Sequence, residues 1–182
     1  VTHALKYFYT ASSEVPNFPE FVVVAMVDGV QMVHYDSNSQ RAVPKQDWMN
    51  KATETLPQYW ERETGNFKGS QQSFKANIDI AKQRFNQSGG VHIFQYMYGC
   101  TWDDDSGVTE GLRQYGYDGE DFLVYDMKAF TWIAPKLQAE ITTRKWNNEP
   151  AQMEYLKSYI TQTCIEWLKK YVDYGKNTLM RT

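Results

Sequence analysis

Apolar and polar positions alternate along the start of the chain. HALKYFYTAS has the two-residue period of a strand, with Leu5, Tyr7 and Tyr9 on one face and Lys6 and Phe8 on the other. FVVVAMV follows and is closed by Asp28-Gly29, a hairpin signal. VQMVHYDSNS reads as the returning strand, and a short fourth strand is expected near Arg41–Lys45. The period then changes. From about Pro57, which suits a first helical turn, apolar residues recur at Tyr59, Phe67, Phe74, Ile78, Ala81 and Phe85. Gly65 and Gly69 weaken that helix locally.

Gly89-Gly90 breaks the chain, and the order of elements begins again. VHIFQYMYGCTW, VTEGLRQYGYDG (ending on a second Asp-Gly), EDFLVYDM and FTWIA read as strands. A helical pattern starts near Pro135, is interrupted around Asn147-Asn148-Glu149-Pro150, and runs to about Lys176. Four strands and then helix, twice over, is an internal repeat of roughly 90 residues. It divides the chain into residues 1–90 and 91–182. Runs of strands followed by helix predict an α+β fold with antiparallel sheet. Two such units joined edge to edge make one broad sheet with two helices on one face.

The final helical stretch sets two ridges side by side. Ile160, Cys164 and Leu168 form a core ridge, whereas Tyr159, Thr163, Trp167 and Tyr171 form a row of large side chains, mostly polar-tipped. The strands repeat this motif, with Phe94, Tyr96 and Tyr98 sharing one face and Arg113 and Tyr115 another. Aromatic residues make up 15% of the 182-residue chain and include 13 tyrosines. A buried tyrosine hydroxyl needs a partner, so this number of them points to a binding surface rather than plain core.

Other chemistry is excluded or weak. The net charge is −3 with no basic run, which argues against nucleic acid. His3, His34 and His92 are scattered and the metal-ligand spacings are absent, so no metal or other cofactor is expected. Asp103-Asp104-Asp105 lacks calcium-loop spacing and reads as a solvated hairpin tip. No nucleophile elbow or phosphate loop occurs, so no enzyme is expected. No window is apolar enough to span a membrane, and Val1 reads as a mature or trimmed N-terminus. Cys100 and Cys164 are two free thiols or one disulfide. The glycosylation acceptor Asn86-Gln87-Ser88 tips this towards a secreted or lumenal chain with one disulfide. With Cys164 lying 64 positions after Cys100, chain entropy gives such a bond about 4 kcal/mol.

KYFYT, VDGVQMVHYDS, PQYWERET, FNQS, QYMYGC, YGYDGEDF, TTRKW, TCIEWLKKY and GKNTLMRT, in this order and spacing, resemble the peptide-binding platform of major histocompatibility complex class I heavy chains. The resemblance covers the whole chain. It implies an eight-stranded antiparallel sheet topped by two long, broken helices, with a groove between them. It also implies display of short peptides at the cell surface to T-cell receptors, with β2-microglobulin under the sheet and CD8 as a further partner, and no catalysis. The Cys100–Cys164 disulfide would join the second helix to the sheet.

Residue by residue, the resemblance assigns the peptide amino terminus to Tyr7, Tyr59, Tyr159 and Tyr171, with Trp167 closing that end and Glu63 accepting a backbone N–H. Tyr7, Tyr9, Val23, Val33, Ala42, Glu63, Asn66, Phe67 and Tyr98 match the second-residue pocket, made roomier by the small Ala42. At the carboxyl end, Arg84, Lys145 and either Thr142 or Thr143 hold the terminal carboxylate. Asn77, Ile80, Ala81, Phe94, Tyr115, Phe122 and Trp146 surround the last side chain, which should be apolar. Arg84 stands where mammalian classical chains have tyrosine, and resembles non-mammalian class I chains and also class II. Phe122 also replaces a tyrosine of that pocket. Phe8, Gln31, Gln95, Met97, Gln114, Gly119 and Asp121 match the β2-microglobulin face.

Retention of all four tyrosines favours peptide. The alternatives are a non-classical relative with a specialised or non-peptide ligand, and a closed-groove receptor-binding module. The resemblance further implies the extracellular part of a type I membrane protein assembled in the endoplasmic reticulum. On that reading, this chain is a soluble fragment without the immunoglobulin-like domain and anchor.

Overall fold

The computed structural model describes residues 1–179. The end of GKNTLMRT, and with it the expected boundary at 182, lies outside them. Eight strands form one antiparallel sheet: β1 (Thr2–Ser13), β2 (Phe21–Val27), β3 (Val30–Asp36), β4 (Val43–Pro44), β5 (His92–Asp103), β6 (Thr109–Tyr117), β7 (Glu120–Asp126) and β8 (Thr131–Ile133). Their order is β4-β3-β2-β1-β5-β6-β7-β8. The long strands β1 and β5 meet at the centre and pair from Thr2 opposite Asp103 to Ser13 opposite His92.

Both Asp-Gly pairs make the tight turns their sequence predicts. Asp28 and Gly29 have φ of 51° and 79°, and Asp118 and Gly119 have 50° and 84°. Two successive left-handed residues fit the twist of a two-residue hairpin. Each turn aspartate also ties down a neighbouring strand. Asp28 accepts from the Ala4 N–H at 2.8 Å and lies 2.6 Å from His3 Nδ1. Asp118 does the same with the Ile93 N–H at 2.8 Å and His92 Nδ1 at 2.8 Å. The internal repeat therefore extends to individual hydrogen bonds.

Each unit also carries one bulge that the two-residue period does not predict. Ala25 pairs Val33 but Met26 pairs Gln31, which leaves Met32 as the extra residue; Tyr115 pairs Leu123 but Gly116 pairs Asp121, which leaves Phe122. A bulge puts consecutive side chains on one face. Met32 and Val33 are both buried, as are Phe122 and Leu123.

The helices cross one face of the sheet. A 3-10 turn (Asp47–Lys51) and α1 (Ala52–Thr55) precede α2 (Tyr59–Arg84). Helical structure thus begins earlier than Pro57, with a break at 56–58 where Leu56 is extended. Gly65 and Gly69 do not interrupt α2, because Phe67, Phe74, Ile78 and Ala81 anchor its inner face. The second helical run is segmented: a 3-10 turn (Leu137–Ala139), α3 (Glu140–Asn147), α4 (Pro150–Ser158), a π-helical turn (Tyr159–Thr163) and α5 (Cys164–Leu179). Pro150 opens α4 where its missing N–H does no harm. The run extends three residues beyond the expected Lys176.

Ile160, Cys164 and Leu168 are buried against the sheet, and Cys100 on β5 is bonded to Cys164 with their Cα atoms 6.2 Å apart. Beside this tether the π turn descends onto Gly111 of β6, where any Cβ would collide with Ile160 Cγ2. Among the described residues, no helix is long and apolar enough to cross a membrane.

Candidate functional site: a groove with two unlike ends

Two cavities open between the helices, over the sheet. The larger, about 580 Å³, lies between α2 on one side and α4, the π turn and α5 on the other. Its lining includes Tyr7 and Tyr9 from β1, Tyr98 from β5, Glu63, Asn66 and Phe67 from α2, and Tyr159, Thr163, Trp167 and Tyr171 from the second helical run. The ridge of large side chains in TCIEWLKKY thus faces this cavity, and the neighbouring ridge is core.

The aromatic rings form a continuous network. Tyr7 stacks on Tyr98 at 4.9 Å, across the β1–β5 seam. The Tyr9 and Tyr98 hydroxyls are 2.9 Å apart, and those of Tyr59 and Tyr171 are 2.8 Å apart. Trp167 stacks on Tyr171 at 5.5 Å and tilts against Tyr59 at 5.7 Å. Tyr59 is fully buried behind Tyr171. Burial raises the tyrosine pKa values well above normal, so these hydroxyls remain neutral donors and acceptors. Burial also pushes the Glu63 carboxyl up to about 7, opposed only in part by the Arg62 charge.

Not every expected residue of the second-residue pocket reaches the cavity. Val23, Val33 and Ala42 are buried in the core. Phe67 supplies the wall there, edge-on to Tyr9 at 5.9 Å and tilted on Tyr35 at 5.5 Å. Ala42 lies beneath α2, its N–H donating to the Thr64 hydroxyl at 3.0 Å, so the room expected beside it is not part of the cavity. Conversely, Arg62, Ser70, Tyr96, Arg113 and Tyr155 also line the cavity. Tyr96 was legible on one strand face with Tyr98, and Arg113 on a face of the next strand with Tyr115. Tyr155 is one helical turn before Tyr159 on the same ridge, a signal present in the spacing.

The smaller cavity, about 170 Å³, lies at the far end. Asn77, Ile80, Ala81 and Arg84 of α2 face Thr142, Lys145 and Trp146 of α3 above a floor of Phe94 and Phe122. Leu123 and Ile141 complete it, and neither was expected. Leu123 enters because of the β7 bulge. Arg84 Nη1 donates to the Thr142 hydroxyl and, at 3.3 Å, to the Gln138 carbonyl. Thr143 is buried and donates instead to Glu140 O at 2.8 Å. Tyr115 lines neither cavity; it stacks on Tyr96 at 4.2 Å and packs against Trp146 at 5.6 Å, in the floor between them.

On the opposite side of the sheet, Phe8, Gln95, Met97, Gln114, Gly119 and Asp121 line a shallow concavity. Gln31 lies away from it and accepts from the Gln46 side chain through its carbonyl. Asn86 is exposed just past the end of α2, with φ 54°.

A sheet roofed by two helical runs that enclose a groove, polar at one end and apolar beneath cations at the other, defines a ligand-holding platform rather than a reaction centre. The chain matches the family "Class I Histocompatibility antigen, domains alpha 1 and 2" over residues 1–179 and belongs to that family, which is not enzymatic. It is 41% identical over 180 residues to the class I histocompatibility antigen F10 alpha chain of Gallus gallus, covering 98% of this chain and 51% of that protein. It is 39% identical over 182 residues to the major histocompatibility complex class I-related protein 1 of Mus musculus, covering 100% of this chain and 52% of that protein. With the H-2 class I K-D alpha chain of Mus musculus the identity is 38% over 185 residues, covering 99% of this chain and 49% of that protein. The chain spans about half the length of these relatives.

Proposed function

We propose that the groove holds a short peptide in extended form and presents it at the cell surface to T-cell receptors, as part of a complex with β2-microglobulin and with CD8 as co-receptor. The observation that carries this reading is the chemical polarity of the groove, which parallels that of a peptide. One end offers neutral hydroxyls and a carboxyl group, suited to an ammonium; the other offers Arg84 and Lys145 above an apolar pocket, suited to a carboxylate and the last side chain. Hydrogen bonds to charged termini are worth about 1.5–3 kcal/mol each. The ends also match in length. Glu63 and Arg84 are 21 residues apart on α2, or roughly 30 Å at helical rise. An extended peptide covers that distance with about nine residues.

In this reading residues 1–90 and 91–182 are the two halves of the platform. Tyr7, Tyr159 and Tyr171 take the ammonium, with Tyr59 supporting the Tyr171 hydroxyl from behind, Glu63 takes the N–H of the second residue, and Arg84, Thr142 and Lys145 the carboxylate. The concavity around Phe8 and Met97 receives β2-microglobulin. Arg84 and the identity to the Gallus gallus antigen support a classical-like, non-mammalian type. The similar identity to a class I-related protein keeps a specialised ligand as the second reading. The open 580 Å³ cavity argues against a closed-groove module.

Acid elution of the complex, assembled in cells with β2-microglobulin, tests this. A mixture of short peptides is expected. A single lipid or small metabolite would overturn the peptide reading in favour of the second one, and empty eluate would overturn both.

A further inference from the structure

The groove floor contains a cation that no carboxylate answers. Arg113 on β6 is only 8% exposed, yet it lines the larger cavity. Its guanidinium donates to the Tyr96 hydroxyl and lies over the rings of Tyr98, Tyr159 and Tyr96, at 4.9, 5.5 and 5.6 Å from their centroids. Its Nε finds no acceptor. Among the described residues, no aspartate or glutamate forms an ion pair with it.

An arginine cannot shed its proton to escape burial. Ring faces offset only part of the lost hydration, so a buried guanidinium with no carboxylate partner from its own chain is an unfavourable arrangement. Glu63, the one carboxylate lining the same cavity, does not relieve it. That group is itself pushed towards its neutral form, and the cation opposing this is Arg62. The compensating charge must therefore arrive with the ligand. Arg113 pairs with Tyr98 across β5 and β6, and Tyr115, the next residue on its face, already packs against Trp146 of the far end. The unanswered charge thus lies in the floor of the larger cavity, next along its strand face to Tyr115, which fills the floor between the two cavities.

We propose that the groove selects peptides carrying a glutamate or aspartate at one central position, whose carboxylate pairs with Arg113. This rests on the peptide reading above and adds a third recognition point to it. The guanidinium fork favours a carboxylate over a neutral amide.

The test uses the complete extracellular heavy chain assembled with β2-microglobulin. Peptides with fixed ends carry Glu, Gln or Lys at each central position in turn, and compete for binding. At one position Glu should bind at least about tenfold more tightly than Gln, with Lys weakest. Arg113→Gln should erase that difference, and Arg113→Lys should keep a reduced one. Should Arg113→Gln fail to assemble, the wild-type Glu/Gln comparison and Arg113→Lys decide. Equal binding of Glu and Gln at every central position overturns this inference and leaves the peptide reading intact. Failure of every peptide to bind overturns the peptide reading, and this inference with it.

Discussion

Arg84, the last residue of α2, donates to the Thr142 hydroxyl on α3, so the two helical runs are bridged where the groove ends. The fork has donors to spare for a ligand carboxylate. Blocking that carboxylate should therefore be costly. C-terminal amidation of a bound peptide is expected to weaken binding by about 10- to 100-fold. Arg84→Ala should weaken binding of the acid and narrow its advantage over the amide, with Lys145 keeping the remainder. Thr142→Ala should weaken binding, whereas Thr143→Ala should lower stability and leave affinity unchanged. Competition binding and thermal melts separate the two; equal affinity for acid and amide in the wild type would rule out the clamp.

Glu63 makes the groove sensitive to pH. Burial lifts its carboxyl from 4.5 to about 7, so the folded groove favours the neutral form. Its contribution to stability is complete below about 4.5, falls as pH rises towards 7 and levels off above. Glu63→Gln should remove that slope and stabilise the ligand-free chain at pH 8 by at most about 3 kcal/mol. A ligand ammonium reverses the preference by favouring the carboxylate. Peptide binding should then release a proton near neutrality, and affinity should fall as pH drops below 7. Calorimetry in buffers of different ionisation enthalpy reads this directly; identical heats in all buffers would refute it.

The Cys100–Cys164 bond ties α5 to β5 across 64 positions. Replacing both cysteines by serine is expected to cost about 4 kcal/mol by chain entropy. Gly111→Ala should be destabilising for a different reason, since its Cβ would meet Ile160 and lift the π turn off the sheet. Denaturant midpoints measure both. A Gly111→Ala variant as stable as wild type would disprove the close approach.

Phe8 and Met97 sit opposite each other on β1 and β5 in the concavity beneath the sheet. Phe8→Glu and Met97→Glu should each weaken assembly with β2-microglobulin by at least about 2 kcal/mol, because a charge would be buried without a partner. Unchanged assembly measured by surface binding would remove this face from the interface.

The fold was largely legible because hydrophobic period and turn chemistry agree. Two Asp-Gly turns, Gly89-Gly90 and the change of period at each helix place the elements. What escaped were local departures from period. The bulges at Met32 and Phe122 add one residue to each strand, and this concealed Leu123 as part of the smaller cavity. The helical turns at 47–55 were missed because their sequence lacks a helical stripe; Met49 and Ala52 alone are buried there. Depth was not legible either: residues on one strand face share a direction, not a distance from the surface. Hence Val23 and Val33 are sealed in while Tyr7 and Tyr98 line the cavity. Arg113 stood out in sequence only as a strand residue, because its isolation from carboxylates is a property of three dimensions.

The stacked pair Tyr7 and Tyr98 straddles the seam where β1 meets β5, so one wall of the larger cavity is assembled from the first strand of each half of the chain. Neither stretch owns the pocket. Joining the first stretch of one relative to the second stretch of another would preserve the sheet, since strand pairing at the seam is carried by backbone, yet would create a binding surface found in neither parent. Ligand preference in this architecture is therefore combinatorial, and diversity in each stretch multiplies rather than adds.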